Sequence, residues 1–78
     1  MAMVFVFINS ELGAEEEVLA ALKAIVGVKE TAIVYGVYDI VAKVVASSMD
    51  EIKTIIHGQI RKIPEVQTTL AMVVVESR

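Results

Sequence analysis

The chain has 78 residues, no cysteine and a formal net charge of −3, which allows one domain and excludes disulfides and thiolate chemistry. Its seven Lys and Arg are not clustered, so the basic surface needed to bind duplex DNA is missing, and no apolar run approaches the roughly 18 residues of a spanning helix. Yet 56% of the residues are hydrophobic and the mean hydropathy is +0.70, more apolar material than a domain burying only about 60% of its unfolded surface can hide.

That surplus points to a face covered by copies of the same chain. No basic segment precedes the first apolar run, so no signal peptide is expected, and the cytoplasm is the default compartment.

Met3 to Ile8 is β-branched and aromatic, which suits a strand. It is continuous rather than alternating, so both of its faces should be covered. Asn9 to Gly13 reads as a loop. A helix is expected from about Ala14 to Ile25. Glu15, Glu16 and Glu17 occupy its first turn, where carboxylates complement the positive end of the helix dipole. Val18, Leu22 and Ile25, widened by Leu19 and Val26, form one apolar stripe, and Gly27 falls just past the end as a stop.

Val28 to Tyr35 and Tyr38 to Ala46 read as two strands, with the glycine of Tyr35-Gly36-Val37-Tyr38-Asp39 marking a hairpin. Ser48 with Glu51 three residues on is a capping box opening a second helix. Ile52, Ile56, Ile60 and Ile63 trace its buried stripe, with Met49 and Ile55 beside it, and Pro64 is expected to end it. Val66 to Val75 is the last strand, and Glu76-Ser77-Arg78 a polar tail.

The order is therefore β-α-β-β-α-β. The halves echo each other at an offset of 38: Val18 and Leu22 align with Ile56 and Ile60, and the segment from Ile25 to Thr31 with that from Ile63 to Thr69. Two such units predict an α+β, ferredoxin-like split-βαβ sandwich. Right-handed crossovers put both helices on one face of a four-stranded antiparallel sheet. The other face receives the surplus apolar residues, so the expected interface is sheet against sheet, a dimeric α/β barrel.

Val28, Tyr35-Gly36-Val37-Tyr38-Asp39-Ile40, Lys43-Val44, Met49-Asp50-Glu51-Ile52, Ile60-Arg61-Lys62-Ile63-Pro64-Glu65-Val66 and Thr68-Thr69, in this order, resemble the effector domain of the Lrp/AsnC feast/famine transcription regulators. This domain is called RAM, for regulation of amino-acid metabolism. Its hallmark is Gly-x-(Tyr/Phe)-Asp at the hairpin, then a helix ending in a Leu/Ile-Pro-Gly-Val turn and a Thr-bearing last strand. The resemblance spans essentially the whole chain as one domain. The family's helix-turn-helix has no room before a strand that begins near residue 3, so the chain resembles the stand-alone form of the domain, without DNA binding of its own. Glu65 replaces the usual glycine of the turn, and Val37 stands where many relatives carry an acidic or aromatic residue.

The resemblance implies pairing through the sheet, assembly of dimers into rings such as octamers or decamers, and an amino-acid effector held in a cleft between dimers. It also implies that the chain could join full-length Lrp/AsnC regulators in mixed rings. Carried onto this sequence, the effector site comprises Ile33, Gly36, Tyr38, Asp39, Met49, Thr69 and Met72, with Val74 near it. Asp39 would meet the effector's ammonium in a charge-assisted hydrogen bond, and the Thr69 hydroxyl its carboxylate.

Each residue also has a plain structural reading. Gly36 supplies positive φ to a turn. Asp39 caps the hairpin amides. Tyr38 packs. Ile33 and Met49 belong to the core, and Thr69 is a surface strand threonine. His57 is the only histidine, without the companions of a metal site, and no cofactor is expected. No nucleophile-base pair, P-loop or dinucleotide fingerprint is visible, and the polar groups an enzyme pocket needs are sparse. A binding module is thus expected, ahead of a structural oligomeriser without ligand and a small dimeric ferredoxin-like enzyme.

Overall fold

The computed structural model describes all 78 residues. The elements are β1 (Ala2–Ser10), α1 (Glu15–Lys23), β2 (Val28–Ile33), β3 (Ile40–Ala46), α2 (Met49–Gly58), a 3-10 turn (Ile60–Lys62) and β4 (Val66–Val73). They form one antiparallel sheet in the order β2-β3-β1-β4. The expected βαββαβ order is therefore the observed one, and β2 and β4 begin at Val28 and Val66, equivalent positions of the internal repeat.

Alternation within the strands divides the sheet's two faces. Val4, Val6 and Ile8 of β1 and Ile40, Ala42 and Val44 of β3 are wholly buried against Val18 and Leu22 of α1 and Ile52, Ile55 and Ile56 of α2. Full burial of such a side chain contributes about 1.5–3 kcal/mol. Cross-strand partners share a face, so the opposite face carries Phe5 and Phe7, Val41 and Lys43, and Leu70 and Met72. Leu70 is 43% and Met72 55% exposed, and neither helix lies over this face. Lys43 is tied there to Glu30 on the neighbouring strand, Nζ to Oε2 3.1 Å.

Both helices are shorter than their apolar stripes. α1 stops at Lys23, and Ala24 and Ile25 continue as a tightened turn whose N–H groups donate to Ala21 and Leu22. Ile25 nevertheless packs on the core. α2 ends at Gly58, six residues before Pro64; glycine is a poor helix former, and the chain re-forms as the 3-10 turn that keeps Ile60 and Ile63 buried. The stripe of isoleucines thus belongs to a helix and a turn, not to one helix.

The cap at Ser48 is half a reciprocal box. Its Oγ accepts from Glu51 N–H at 3.2 Å, while the Glu51 carboxylate closes on Ser47, taking the Oγ–H at 2.6 Å. Gly27 is held at φ +105° under Ile55 and accepts a hydrogen bond from Val45 N–H, which joins the β2 entry to β3.

Candidate functional site

The β2–β3 hairpin is closed by Val34 N–H donating to the Asp39 carbonyl at 2.8 Å, leaving Tyr35 to Tyr38 as the loop. The strands are shorter than expected, ending at Ile33 and resuming at Ile40. Gly36 takes φ +155° in open surroundings, a backbone region side chains disfavour. Tyr35 and Val37 project into solvent. Tyr38 is half-buried and its ring lies 5.7 Å from that of Phe7, tilted by 51°. That contact extends the open sheet face to the hairpin.

Asp39 is half-buried and reaches across to β1. Ser10 N–H donates to its Oδ2 at 3.0 Å, and Asp39 N–H donates to the Ile8 carbonyl at 3.0 Å. The amide it caps belongs to the end of β1, not to the hairpin. Oδ1 has no partner within the chain. Ser10 itself is 7% exposed, and its hydroxyl finds no hydrogen-bond partner.

Thr69 lies on the helix side of β4, opposite Ile8. Its Oγ1 accepts a hydrogen bond from Arg61 Nε at 3.0 Å, so the 3-10 turn is pinned to the last strand. The neighbouring Thr68, on the open face, accepts from Asn9 Nδ2 at 3.1 Å. An open cleft runs along this edge, lined by Arg61, Val66, Gln67, Thr68 and Thr69.

The candidate residues do not converge within one chain. Ile33, Gly36, Tyr38 and Asp39 gather at the hairpin end of the sheet. Thr69 is at the same end, but the row Ile33–Ile40–Ile8–Thr69 crosses every strand, a span of roughly 14 Å at the usual strand spacing. Met49 opens α2 beyond the far end of β3, about 20 Å from the hairpin along the strand, and packs against the core. Met72 faces the other side of the sheet, opposite Phe5, and Val74 follows it as a half-buried residue whose N–H donates to Met3. No group of three His, Cys, Asp or Glu side chains is placed to ligate a metal, and no helix is long and apolar enough to cross a membrane.

Sequence reasoning passed over Ser10, Asn9 and Arg61 as parts of this end of the molecule. The hydroxyl and amide side chains of the loop after Ile8 were the available signal. The position of Arg61 against Thr69 depends on the 3-10 turn and had none.

Comparison with known proteins bears on the whole chain. The model of the family described as Lrp/AsnC ligand binding domain matches residues 3–78. Among solved structures, FFRP-DM1 is 36% identical with a TM-score of 0.92, covering 96% of this chain and 100% of its own. A hypothetical protein from Pyrococcus horikoshii is 35% identical with a TM-score of 0.91, covering 99% and 93%. AsnC of E. coli is 26% identical with a TM-score of 0.92; the match takes in 97% of this chain but only 52% of AsnC. No curated protein matches the chain.

Proposed function

The chain belongs to the Lrp/AsnC ligand-binding-domain family, and from that premise we propose that it is a small-molecule effector-binding module that acts through self-assembly rather than by catalysis. Its effector is an amino acid or a close analogue. The observation that carries this reading is the hairpin carboxylate: Asp39 stands half-buried just before β3, ahead of the apolar Ile40, Val41 and Ala42, with Oδ1 free of any partner in the chain. A carboxylate oxygen left free there is suited to an ammonium group, whose N–H donors make charge-assisted hydrogen bonds.

The dispersal of the other candidate residues supports a site shared between subunits. In this reading two chains pair through the open sheet face, which carries Phe5, Phe7, Leu70 and Met72, and pairs assemble further into rings. The effector lies between pairs and stabilises the assembled form by mass action. The chain does not bind DNA itself and modulates transcription by entering rings of full-length Lrp/AsnC regulators.

A second reading is favoured by one contact. Because Asp39 Oδ2 holds the Ser10 amide, the carboxylate has a structural task that a ligand-free oligomeriser would also need. Light scattering and thermal denaturation with each of the twenty amino acids, on wild type and Asp39→Asn, separate the two. The asparagine retains an acceptor for Ser10 N–H and removes the charge. A shift of assembly or melting by one amino acid, lost in the variant, is expected. No response to any of the twenty leaves the structural oligomeriser.

A further inference from the structure

The four strands carry three charged residues among them, Lys29, Glu30 and Lys43. Two of these are paired on the open face of the sheet, Lys43 Nζ to Glu30 Oε2 at 3.1 Å. The pair lies in the row Glu30–Lys43–Phe5–Met72, which runs across all four strands. Lys43 belongs to a central strand and its side chain is 27% exposed, whereas that of Glu30 is 73% exposed. Phe5, Ala32 and Val41 line a shallow recess beside them. One ion pair thus stands inside a face whose other strand residues are uncharged.

A β-bulge puts it there. The β2–β3 ladder pairs Val28 with Val44 and then Glu30 with Lys43, so Lys29 is an extra residue in β2. Such a bulge redirects the side chains that follow it. Without it, Lys29 would stand opposite Lys43, and Glu30 opposite the buried Ala42. Like charges directly opposite each other are unfavourable, and an unpaired carboxylate on the core side is worse. The bulge removes both conflicts and sets one negative and one positive group side by side on the open face.

An exposed ion pair adds little to the stability of an isolated chain. Beneath a second sheet it acts differently, because a covered charge left without a partner is strongly penalised. Lys43 gives one of its three donors to Glu30, and Glu30 Oε1 has no partner in the chain. Both groups therefore retain bonding capacity toward whatever covers them. A closed pair of identical chains brings the same patch against itself across a two-fold axis. Adjacent opposite charges are self-complementary under that operation, the lysine of each copy meeting the glutamate of the other.

We propose that Glu30 and Lys43 form a polar lock in the pairing face, which fixes the alignment of a second copy and admits only a chain carrying the matching pair. The lock presupposes the sheet-to-sheet pairing proposed above and adds which copy that face accepts. Charges so placed discriminate between partners more than they raise affinity.

The test is sedimentation velocity over a range of concentrations, on wild type, Glu30→Lys, Lys43→Glu and an equimolar mixture of the two variants. Circular dichroism checks that each is folded. Either variant alone puts like charges on the face, and is expected to raise the dissociation constant of self-association by at least about tenfold. In the mixture a doubly positive face meets a doubly negative one, and assembly is expected to return. The double variant Glu30→Lys/Lys43→Glu restores opposite charges within one chain, and should assemble with itself but not with labelled wild type. If both single variants assemble as wild type does, the lock is wrong; Met72→Lys, run alongside, then decides whether sheet pairing itself survives. If the single variants dissociate and their mixture stays dissociated, the pair acts only within its own chain and the lock is again wrong. If wild type is a monomer, sheet pairing fails and the lock fails with it.

Discussion

Ser10 and Asp39, 29 residues apart, are joined across the sheet by a hydrogen bond from the Ser10 amide to Asp39 Oδ2 at 3.0 Å. The bond anchors the base of the hairpin to the end of β1, where the β1–β4 ladder also shifts register between Asn9 and Ser10. One carboxylate thus organises the meeting of three strands and leaves its second oxygen for another partner.

Removing that acceptor should cost stability. Hydrogen bonds to a charged group contribute about 1.5–3 kcal/mol, and stranding a donor adds its desolvation penalty. Asp39→Ala is expected to lose about 1–3 kcal/mol in urea denaturation of the ligand-free chain, and Asp39→Asn clearly less. Asp39→Ala as stable as wild type would mean that the Ser10 contact is dispensable. Any effect of Asp39→Ala on ligand response would then be free of a folding contribution.

The Ser10 hydroxyl makes the opposite prediction. It is buried without a partner, and an unsatisfied polar group in an apolar setting costs about 1–3 kcal/mol. Ser10→Ala keeps the backbone amide that Asp39 accepts from and removes only the orphan oxygen. Thermal denaturation should show the variant at least as stable as wild type. A marked loss would show that the hydroxyl has a bound partner, such as an ordered water, in solution.

How far the sequence carried depends on the range of the interaction concerned. The Ser48 cap was legible because its partner is three residues away, and the isoleucine stripe because every member is buried whatever the local helix type. The continuous apolar run of β1 foretold a sheet with two apolar faces. Helix ends were harder: Pro64 looked like the stop, yet Gly58 and the turn after it intervene. The contacts that organise the candidate site were invisible. Ser10 to Asp39 and Arg61 to Thr69 depend on cross-strand register and on a 3-10 turn, neither of which residue spacing encodes.

Gly27 and Gly13 form a controlled comparison of backbone strain with and without a steric clash. Both have positive φ, +105° and +82°, but a Cβ on Gly13 would meet nothing within 4 Å. On Gly27 it would lie 2.8 Å from Ile55 Cδ1 and 3.3 Å from the Val45 carbonyl oxygen. Gly13→Ala should cost about 1 kcal/mol, the conformational penalty alone. Gly27→Ala should cost more, about 2–4 kcal/mol, because a core side chain must also move off its rotamer. Chemical denaturation that ranks the two equally would mean Ile55 repacks freely.

The open sheet face decides whether self-association runs through the sheet. Leu70 and Met72 are about half exposed there, while on the helix side the two central strands, β1 and β3, are sealed. A charge at Met72 is therefore tolerable in an isolated chain, where water can reach it, and costly in a sheet-to-sheet interface, where an unpaired buried ion is penalised by several kcal/mol. Met72→Lys is expected to dissociate the protein to folded monomers in sedimentation velocity, with circular dichroism unchanged. Lys53→Glu, on the exposed side of α2, is the matched control and should leave assembly intact. An unchanged sedimentation coefficient for Met72→Lys would move the interface off the sheet face. It would turn attention to the free edges of β2 and β4, whose outward amides and carbonyls are the other surface able to pair with a second copy.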